Sequence, residues 1–132
     1  ASGLYFANRT VGNAERLVSD LRDAHPGARL SCCALDDLGR LSEFVAESSV
    51  VVQTSSVGLN DGDPSPIPEE LFLRNACFYD TIYRRTLFLD MAAAKGCRCA
   101  GGLSMLLHQG VKSFVIWTGI FPPVEDMRRA IS

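Results

Sequence analysis

Short runs of consecutive apolar residues alternate along this chain with segments in which apolar residues recur every three or four positions. A β-branched run such as Val50–Val52 is typical of a buried strand, whereas the spacing between Gly12 and Ala24 is typical of an amphipathic helix. The pattern predicts these elements in order: strand Leu4–Ala7, helix Gly12–Ala24, strand Arg29–Leu35, a helix to about Ala46, strand Val50–Val52, a short helix at 68–70, strand Ala76–Tyr83, helix Thr86–Lys95, strand Cys97–Ala100, and helices Ser104–Trp117 and Val124–Ile131.

Turn-forming residues separate these elements. Pro26-Gly27 and Gly96 end two of the helices, and Asp36 is the expected N-cap of the second helix. The segment Asn60–Pro68 is rich in Gly, Pro and Asp and predicts an exposed loop. In the long helix near the C-terminus, the predicted apolar stripe consists of Leu103, Leu106, Leu107, Gly110, Phe114 and Trp117.

Alternation of strands and helices predicts the α/β class, with a parallel sheet covered by helices on both faces. Ligands of such sheets bind at the carboxyl ends of the strands. Ligand-binding residues are therefore expected in four segments: Asn8–Asn13, Gln53–Leu59, Asp80–Tyr83 and Gly101-Gly102.

Composition narrows the classes of function. The 132 residues suit one domain, and 47% hydrophobic with 21% charged residues is ordinary globular composition. A net charge of −2 gives no basic surplus, so nucleic acid and anionic membranes are not expected partners. No apolar run reaches the ~20 residues of a membrane helix, and Ala1–Thr10 does not resemble a secretory signal.

The five cysteines do not have the spacing of a disulfide framework or of a zinc site. An odd number of thiols, including the adjacent pair Cys32-Cys33, predicts reduced and mostly buried side chains in a cytoplasmic protein. The sequence predicts no metal site.

The first predicted strand ends in Asn8-Arg9-Thr10. In a dinucleotide-binding domain the ribose-facing strand tip carries an acid when the cofactor is NAD. The guanidinium of Arg9 at that place suits a 2′-phosphate instead. The alternative is that Arg9 is an ordinary arginine in a solvated loop. The glycine-rich loop of such a domain lies ~20 residues earlier, and only seven residues precede Asn8. Either the fold is different, or the chain begins inside it with the first strand and the glycine loop missing.

The other strand ends carry weaker signals with alternative explanations. Gln53–Gly58 is either a ligand-approaching turn or an ordinary polar turn, and Asp80 is expected to anchor a turn. The phenol of Tyr83 either meets a polar ligand or is buried in the core. Gly101-Gly102 either permits close contact with a flat ring or an anion or simply ends the strand. Gln109 lies beside the apolar stripe and is either a polyol-binding amide or a surface residue. His108 lacks a neighbouring acid and is not expected to be catalytic.

Taken together, these segments resemble the C-terminal, cofactor-binding half of the shikimate dehydrogenase family over nearly the whole chain. Four ordered motifs carry the resemblance. They are N-R-T at Asn8–Thr10, a variant of N-A-T-S-x-G-M at Gln53–Leu59, a variant of D-x-x-Y-x-P-x-x-T at Asp80–Thr86, and G-L-x-M-L-x-x-Q followed by S-F-x-x-W-T-G between Gly102 and Gly119.

The resemblance implies a partial Rossmann-like NADP-binding domain over residues 1–132, in an enzyme that interconverts 3-dehydroshikimate and shikimate. It implies roles in cofactor binding for Asn8, Arg9, Thr10, Ser55, Thr81 and Gly102. It implies contacts between shikimate and two residues, Tyr83 and Gln109. The catalytic residues belong to the family's N-terminal domain, so this chain is expected to need the remainder of the enzyme or a partner chain and to be inactive alone.

Two departures from the family pattern keep alternatives open. Asn13 stands where the family often has a second basic residue, so NAD is a possible cofactor. The segment Tyr83–Thr86 lacks the family's proline and is about two residues shorter, and Arg84 and Arg85 have no assigned role. Two alternatives to an NADP-dependent shikimate dehydrogenase therefore remain. One is a paralogue that acts on quinate, and the other is a non-catalytic binding module that kept the fold.

Overall fold

A computed structural model describes residues 3–131. Ala1, Ser2 and Ser132, which the expected domain includes, lie outside the described residues. The chain forms two compact units, one up to Ser48 and one from Ser49. No helix within residues 3–131 has the length and apolar character needed to cross a bilayer.

The first unit contains two parallel strands and two helices. They are β1 (Leu4–Asn8), α1 (Val11–Ala24), β2 (Leu30–Ala34) and α2 (Leu38–Glu47). Strands β1 and β2 pair in register from Leu4 opposite Leu30 to Asn8 opposite Ala34. Since the strands run in the same direction, α1 forms the crossover between them.

The core of the first unit lies between its strands and its helices. Ala14 and Val18 of α1 are buried, as are Leu41, Phe44 and Val45 of α2. The ring of Phe44 stacks on that of Tyr5 at a centroid distance of 4.6 Å. The Tyr5 hydroxyl donates a hydrogen bond to the Glu47 carboxylate, and this bond lowers the pKa of Glu47 and raises that of Tyr5.

The second unit contains a three-stranded parallel sheet in the order β3-β4-β5. Asp80, at the end of β4, lies opposite Gln53 at the end of β3. The two loops that follow these strands therefore begin side by side. The elements of this unit are β3 (Val50–Gln53), a 3-10 turn (Glu69–Leu71), β4 (Cys77–Asp80), α3 (Leu87–Ala94), β5 (Arg98–Ala100), α4 (Leu103–Thr118) and α5 (Val124–Ile131).

An aromatic cluster forms the core of the second unit. The rings of Phe72, Phe78 and Phe88 lie 4.9 to 5.8 Å apart between centroids, and Phe78 is fully buried in the central strand. Ala76 and Ala92 are also fully buried, so α3 packs closely on the sheet. This packing fixes the position of β4, which carries Asp80.

The predicted α/β class with parallel strands is confirmed, but several boundaries were wrong. The N-cap of α2 is Asp37, not Asp36, because the Asp37 carboxylate accepts a hydrogen bond from the Arg40 N–H at 3.1 Å. Helix α1 begins at Val11 rather than Gly12. Strand β4 ends at Asp80 rather than Tyr83, since the Asp80 side chain accepts a hydrogen bond from the Ile82 N–H and turns the chain.

Two predictions of burial were also wrong. Val50 and Val52 are about half exposed because β3 is an edge strand of its sheet. Helix α4 buries Leu107 and Val111, and Trp117 follows Val111 by about 240° around the helix axis. Trp117 therefore leaves the buried stripe and is 82% exposed.

The cysteines are less buried than predicted. All five thiols are free, but only Cys33 and Cys97 are buried, and Cys99 is exposed. Burial raises the pKa of the thiols of Cys33 and Cys97. Cys99 is exposed because it lies in β5, an edge strand of the second unit.

Candidate functional site

The first group of candidate residues lies in the turn between β1 and α1. The Asn8 side-chain oxygen accepts a hydrogen bond from the Thr10 N–H at 2.9 Å. This bond closes the turn and leaves Arg9 exposed at its tip. Asn8 is therefore a local turn-forming residue, and Arg9 supplies the positive charge of this group.

The N-terminus of α1 directly follows this turn. Thr10 is its N-cap, but the Thr10 side chain makes no capping hydrogen bond, and the first turn contains no acidic residue. Uncapped N–H groups and the helix dipole favour an anion at such a place. The charge of Arg9 and the N-terminus of α1 therefore both favour the binding of an anion.

The second group lies in the second unit and begins with the loop after β3. Gln53 is buried, and its side-chain amide donates to the carbonyls of Ser55, at 3.3 Å, and Val57, at 2.7 Å. Its side-chain oxygen accepts from the Ser55 N–H at 2.6 Å. The Gln53 side chain therefore holds the loop that carries Ser55, whose side chain remains exposed.

The same loop is fixed at its far end by Asp63. The Asp63 carboxylate accepts hydrogen bonds from the backbone N–H groups of Gly58 and Asn60, each at 2.9 Å. These bonds lower the pKa of Asp63. Gly58 has a φ of +105°, and a Cβ there would lie 3.1 Å from the Thr86 side chain, so glycine is required at this point of the loop.

Thr81 connects the loops after β3 and β4. Its backbone N–H and its hydroxyl both donate to the Gln53 backbone carbonyl at 3.0 Å. Gly102 lies against the same segment, because its N–H donates to the Ile82 carbonyl at 2.9 Å. A Cβ on Gly102 would lie 2.1 Å from the Thr81 carbonyl oxygen. Thr81 and Gly102 are therefore in direct backbone contact.

Tyr83 lies beside this contact on an open surface. It is 58% exposed, so the alternative of a core tyrosine is wrong. It lines a cavity of about 310 Å³ together with Arg84, Arg85, Cys99 and Gly101. The two arginines pair with Asp61 and Asp90 respectively. Their charges are therefore partly neutralised by neighbouring carboxylates.

Gln109 lies in the middle of α4 and is exposed, as is its neighbour His108. The amide of Gln109 is available to a ligand. Gln53 connects the loop of Ser55 to Thr81, and Ile82, the residue after Thr81, connects this turn to Gly102. Tyr83 follows Ile82 in the same turn.

Within residues 3–131 no group of three or more His, Cys, Asp or Glu side chains could hold a metal ion.

Two residues that shape this site carried no prediction of their own. Gln53 was considered only as part of a polar turn, and Asp63 only as part of an exposed loop. An amide side chain directly after the β-branched run Val50–Val52, and an acid three residues after Asn60, are local signals that could have identified them. The expected turn-anchoring role of Asp80 agrees with its hydrogen bond from Ile82.

Comparisons with known proteins point to one family. Residues 102–131 match the family model described as "Shikimate 5'-dehydrogenase C-terminal domain". An NADP(+)-dependent shikimate dehydrogenase of Halorubrum lacusprofundi is 41% identical over 130 residues, which are 97% of this chain and 44% of that protein. These matches confirm the resemblance to the shikimate dehydrogenase family.

Solved structures agree with this assignment. A shikimate 5-dehydrogenase of Listeria monocytogenes in complex with shikimate and NAD is 25% identical with a TM-score of 0.86, over 99% of this chain and 47% of that one. A shikimate dehydrogenase in complex with NADP+ is 27% identical with a TM-score of 0.82, over 98% and 45%. The chain therefore spans a little under half the length of the shikimate dehydrogenases that it matches.

Proposed function

We propose that this chain is the cofactor-binding half of an NADP-dependent shikimate dehydrogenase, which reversibly transfers a hydride between NADPH and 3-dehydroshikimate. The observation that carries the proposal is the 41% identity, over 97% of the chain, to an NADP(+)-dependent member of the family. The arrangement of the strand-end residues supports the same function.

Arg9 is proposed to bind the 2′-phosphate of NADP, with Asn8 and Thr10 beside it. An exposed guanidinium next to the uncapped N-terminus of α1 fits a dianionic phosphate. Asn8 contributes by closing the turn. When bound, NADPH would supply the hydride to 3-dehydroshikimate, and NADP+ would accept it in the reverse direction. The residues of this chain would hold and orient the cofactor.

Thr81 and Gly102 are proposed to line the nicotinamide end of the cofactor site, and Ser55 is proposed to bind the cofactor from the loop after β3. Gly102 has no side chain to interfere, and its backbone is fixed against Thr81. The Thr81 hydroxyl is held by the Gln53 carbonyl, so Thr81 presents a fixed surface to a flat ring. A rigid surface of this kind orients a cofactor at small entropic cost.

Tyr83 and Gln109 are proposed to contact shikimate. Both are exposed, and a phenol and an amide can each donate to and accept from the hydroxyl groups of a polyol. No catalytic acid or base is assigned among residues 3–131. The groups that exchange a proton with the substrate are proposed to lie in the part of the relatives that this chain does not match.

The remainder of the enzyme is the proposed partner of this chain, and an apolar surface supports this. The end of α4 and the segment after it expose Ile116, Trp117, Ile120 and Phe121, each by 64% or more. Such an exposed apolar cluster promotes aggregation in water and typically marks an interface with another part of a protein. Residues 1–132 are accordingly proposed to form one partial NADP-binding domain of a cytoplasmic enzyme that is inactive without its other half.

An assay of the full-length enzyme tests the proposal directly. The enzyme is expected to reduce NADP+ with shikimate, measured as absorbance at the NADPH band, while the present chain alone shows no turnover. Absence of turnover with every combination of shikimate or quinate and NADP+ or NAD+ would favour a non-catalytic binding module instead.

The second candidate is an NAD-dependent enzyme or one that acts on quinate. Asn13 favours it, since the N-terminus of α1 has only one cation, Arg9, next to the proposed phosphate site. The Listeria relative was also solved with NAD. The ratio of kcat/KM for NADP+ to that for NAD+, measured with shikimate and with quinate, distinguishes the two candidates.

A further inference from the structure

Within residues 3–131, the buried polar residues are Gln53, Asp80 and Thr86. Gln53 and Asp80 are the last residues of β3 and β4, and Thr86 is the N-cap of α3. All three therefore lie at or near the carboxyl edge of the sheet, where the proposed site is. Buried polar groups are costly unless each finds a hydrogen-bond partner, so their concentration here calls for an explanation.

The Asp80 carboxylate, with no exposed surface, joins three parts of the second unit. One oxygen accepts from the Ile82 N–H at 3.0 Å, and the other accepts from the Thr86 hydroxyl at 2.6 Å. The Thr86 oxygen in turn accepts from the Leu89 N–H at 3.4 Å. Strand β4, the turn that follows it and the start of α3 are thus connected through one carboxylate.

The turn held in this way carries two proposed ligand-binding residues, Thr81 and Tyr83, on either side of Ile82. The Ile82 peptide groups are fixed in both directions, because its N–H donates to Asp80 and its carbonyl accepts from Gly102. The position of Thr81 is fixed separately, because its hydroxyl donates a hydrogen bond to the Gln53 backbone carbonyl. Tyr83, which is exposed, depends on the turn for its position.

We infer that Asp80 is a positioning residue, which fixes the Thr81–Tyr83 turn so that Tyr83 meets the substrate and Thr81 meets the cofactor. This inference rests on the proposed function. Asp80 cannot touch a ligand itself, since it has no exposed surface and both of its oxygens are occupied within the chain. Its effect on the reaction passes through the Ile82 N–H and the Thr86 hydroxyl.

The test uses four variants of the full-length enzyme at Asp80 and Thr86, and a fifth variant as a control. Asp80→Ala removes both acceptors, and Asp80→Asn keeps an oxygen for the Ile82 N–H. Thr86→Val removes the hydroxyl from the other partner at nearly the same volume, whereas Thr86→Ser restores that hydroxyl. Phe72→Leu is a matched control, because Phe72 packs in the same core on Phe78 and Phe88 and its side chain cannot hydrogen-bond to the turn.

The expected result is a loss of kcat/KM for shikimate in Asp80→Ala of about 10- to 100-fold, as for a displaced substrate contact. Smaller losses are expected for Asp80→Asn and Thr86→Val, and recovery for Thr86→Ser, while the KM for NADP+ changes less than that for shikimate. Phe72→Leu is expected to lower Tm without a larger change in the KM for shikimate than in the KM for NADP+. Asp80 variants that lower Tm but leave kcat/KM of the folded enzyme unchanged would overturn the inference.

Amide hydrogen exchange separates this inference from the proposed function. The Ile82 amide is expected to be protected in the parent enzyme and in Thr86→Ser, and to exchange faster in Asp80→Ala. Equal protection in the parent and Asp80→Ala would overturn the positioning role, whatever the substrate. A parent enzyme without activity on shikimate would overturn the proposed function and the catalytic consequence, and the exchange data would still show whether Asp80 orders the turn.

Discussion

Gly102 lies so close to Thr81 that a Cβ on Gly102 would stand 2.1 Å from the Thr81 carbonyl oxygen. The Gly102 N–H also donates to the carbonyl of the next residue, Ile82. The start of α4 is therefore attached directly to the turn after β4. Proposed cofactor-binding residues from two distant parts of the sequence meet through this backbone contact.

Replacement of Gly102 by alanine is expected to force these two backbones apart. Overpacking of this kind should lower the free energy of unfolding by about 1–3 kcal/mol, and the KM for the cofactor should rise. Urea unfolding and steady-state kinetics measure the two effects. Gly27→Ala is the control, since a Cβ there meets no atom within 4 Å, and equal effects of both changes would contradict a special role for the contact between Gly102 and Thr81.

Arg9→Ala in the full-length enzyme is expected to raise the KM for NADP+ much more than that for NAD+. A lost hydrogen bond to a charged group costs about 1.5–3 kcal/mol, or about 10- to 150-fold in affinity. Arg16→Ala, another exposed cation on the same helix, serves as the control. An equal change for both cofactors would remove Arg9 from the phosphate site.

Gln109→Ala is expected to raise the KM for shikimate by about 2- to 10-fold, the range of a lost neutral hydrogen bond. Cofactor binding should change little, because the amide is assigned to the substrate alone. The matched variant is His108→Ala, which alters the adjacent exposed residue of α4. If the KM for shikimate stays the same, Gln109 does not contact the substrate.

The loop after β3 is expected to lose stability in acid through Asp63. Hydrogen bonds from Asn60 and Gly58 lower the pKa of Asp63, so its stabilising effect is complete above the unfolded pKa of about 3.9. That effect disappears as the pH falls through the lower folded-state pKa. The difference in unfolding free energy between the parent and Asp63→Asn should therefore shrink as the pH is lowered below about 4, and a difference that does not depend on pH would argue against this role.

The thiols are expected to react in the order of their exposure. Cys99 is exposed and should be modified rapidly by a thiol reagent at neutral pH, whereas Cys33 and Cys97 are buried with raised pKa values. Lower thiolate content and poor access both slow the reaction. Mass spectrometry of partially labelled protein measures the order, with Cys99→Ser as the control that removes the fast phase.

The order of the elements and the resemblance to the shikimate dehydrogenase family followed from the sequence alone. Periodicity is a local property, so the spacing of apolar residues was enough to predict the α/β class and the parallel strands. The four ordered motifs were enough to identify the family, because each consists of consecutive residues that remain in order whatever the tertiary packing. Arg9, Thr81, Tyr83, Gly102 and Gln109 were selected in this way.

Tertiary structure decided the contacts and the burial. Whether Trp117 is buried depends on what packs on the last turn of α4, and whether Val50 is buried depends on the neighbours of β3 in the sheet. The hydrogen bond between Asp80 and Thr86 and the contact between Gly102 and Thr81 join residues from separate elements. Such contacts are set by how strands pair and helices pack over long distances along the chain, which no local pattern contains.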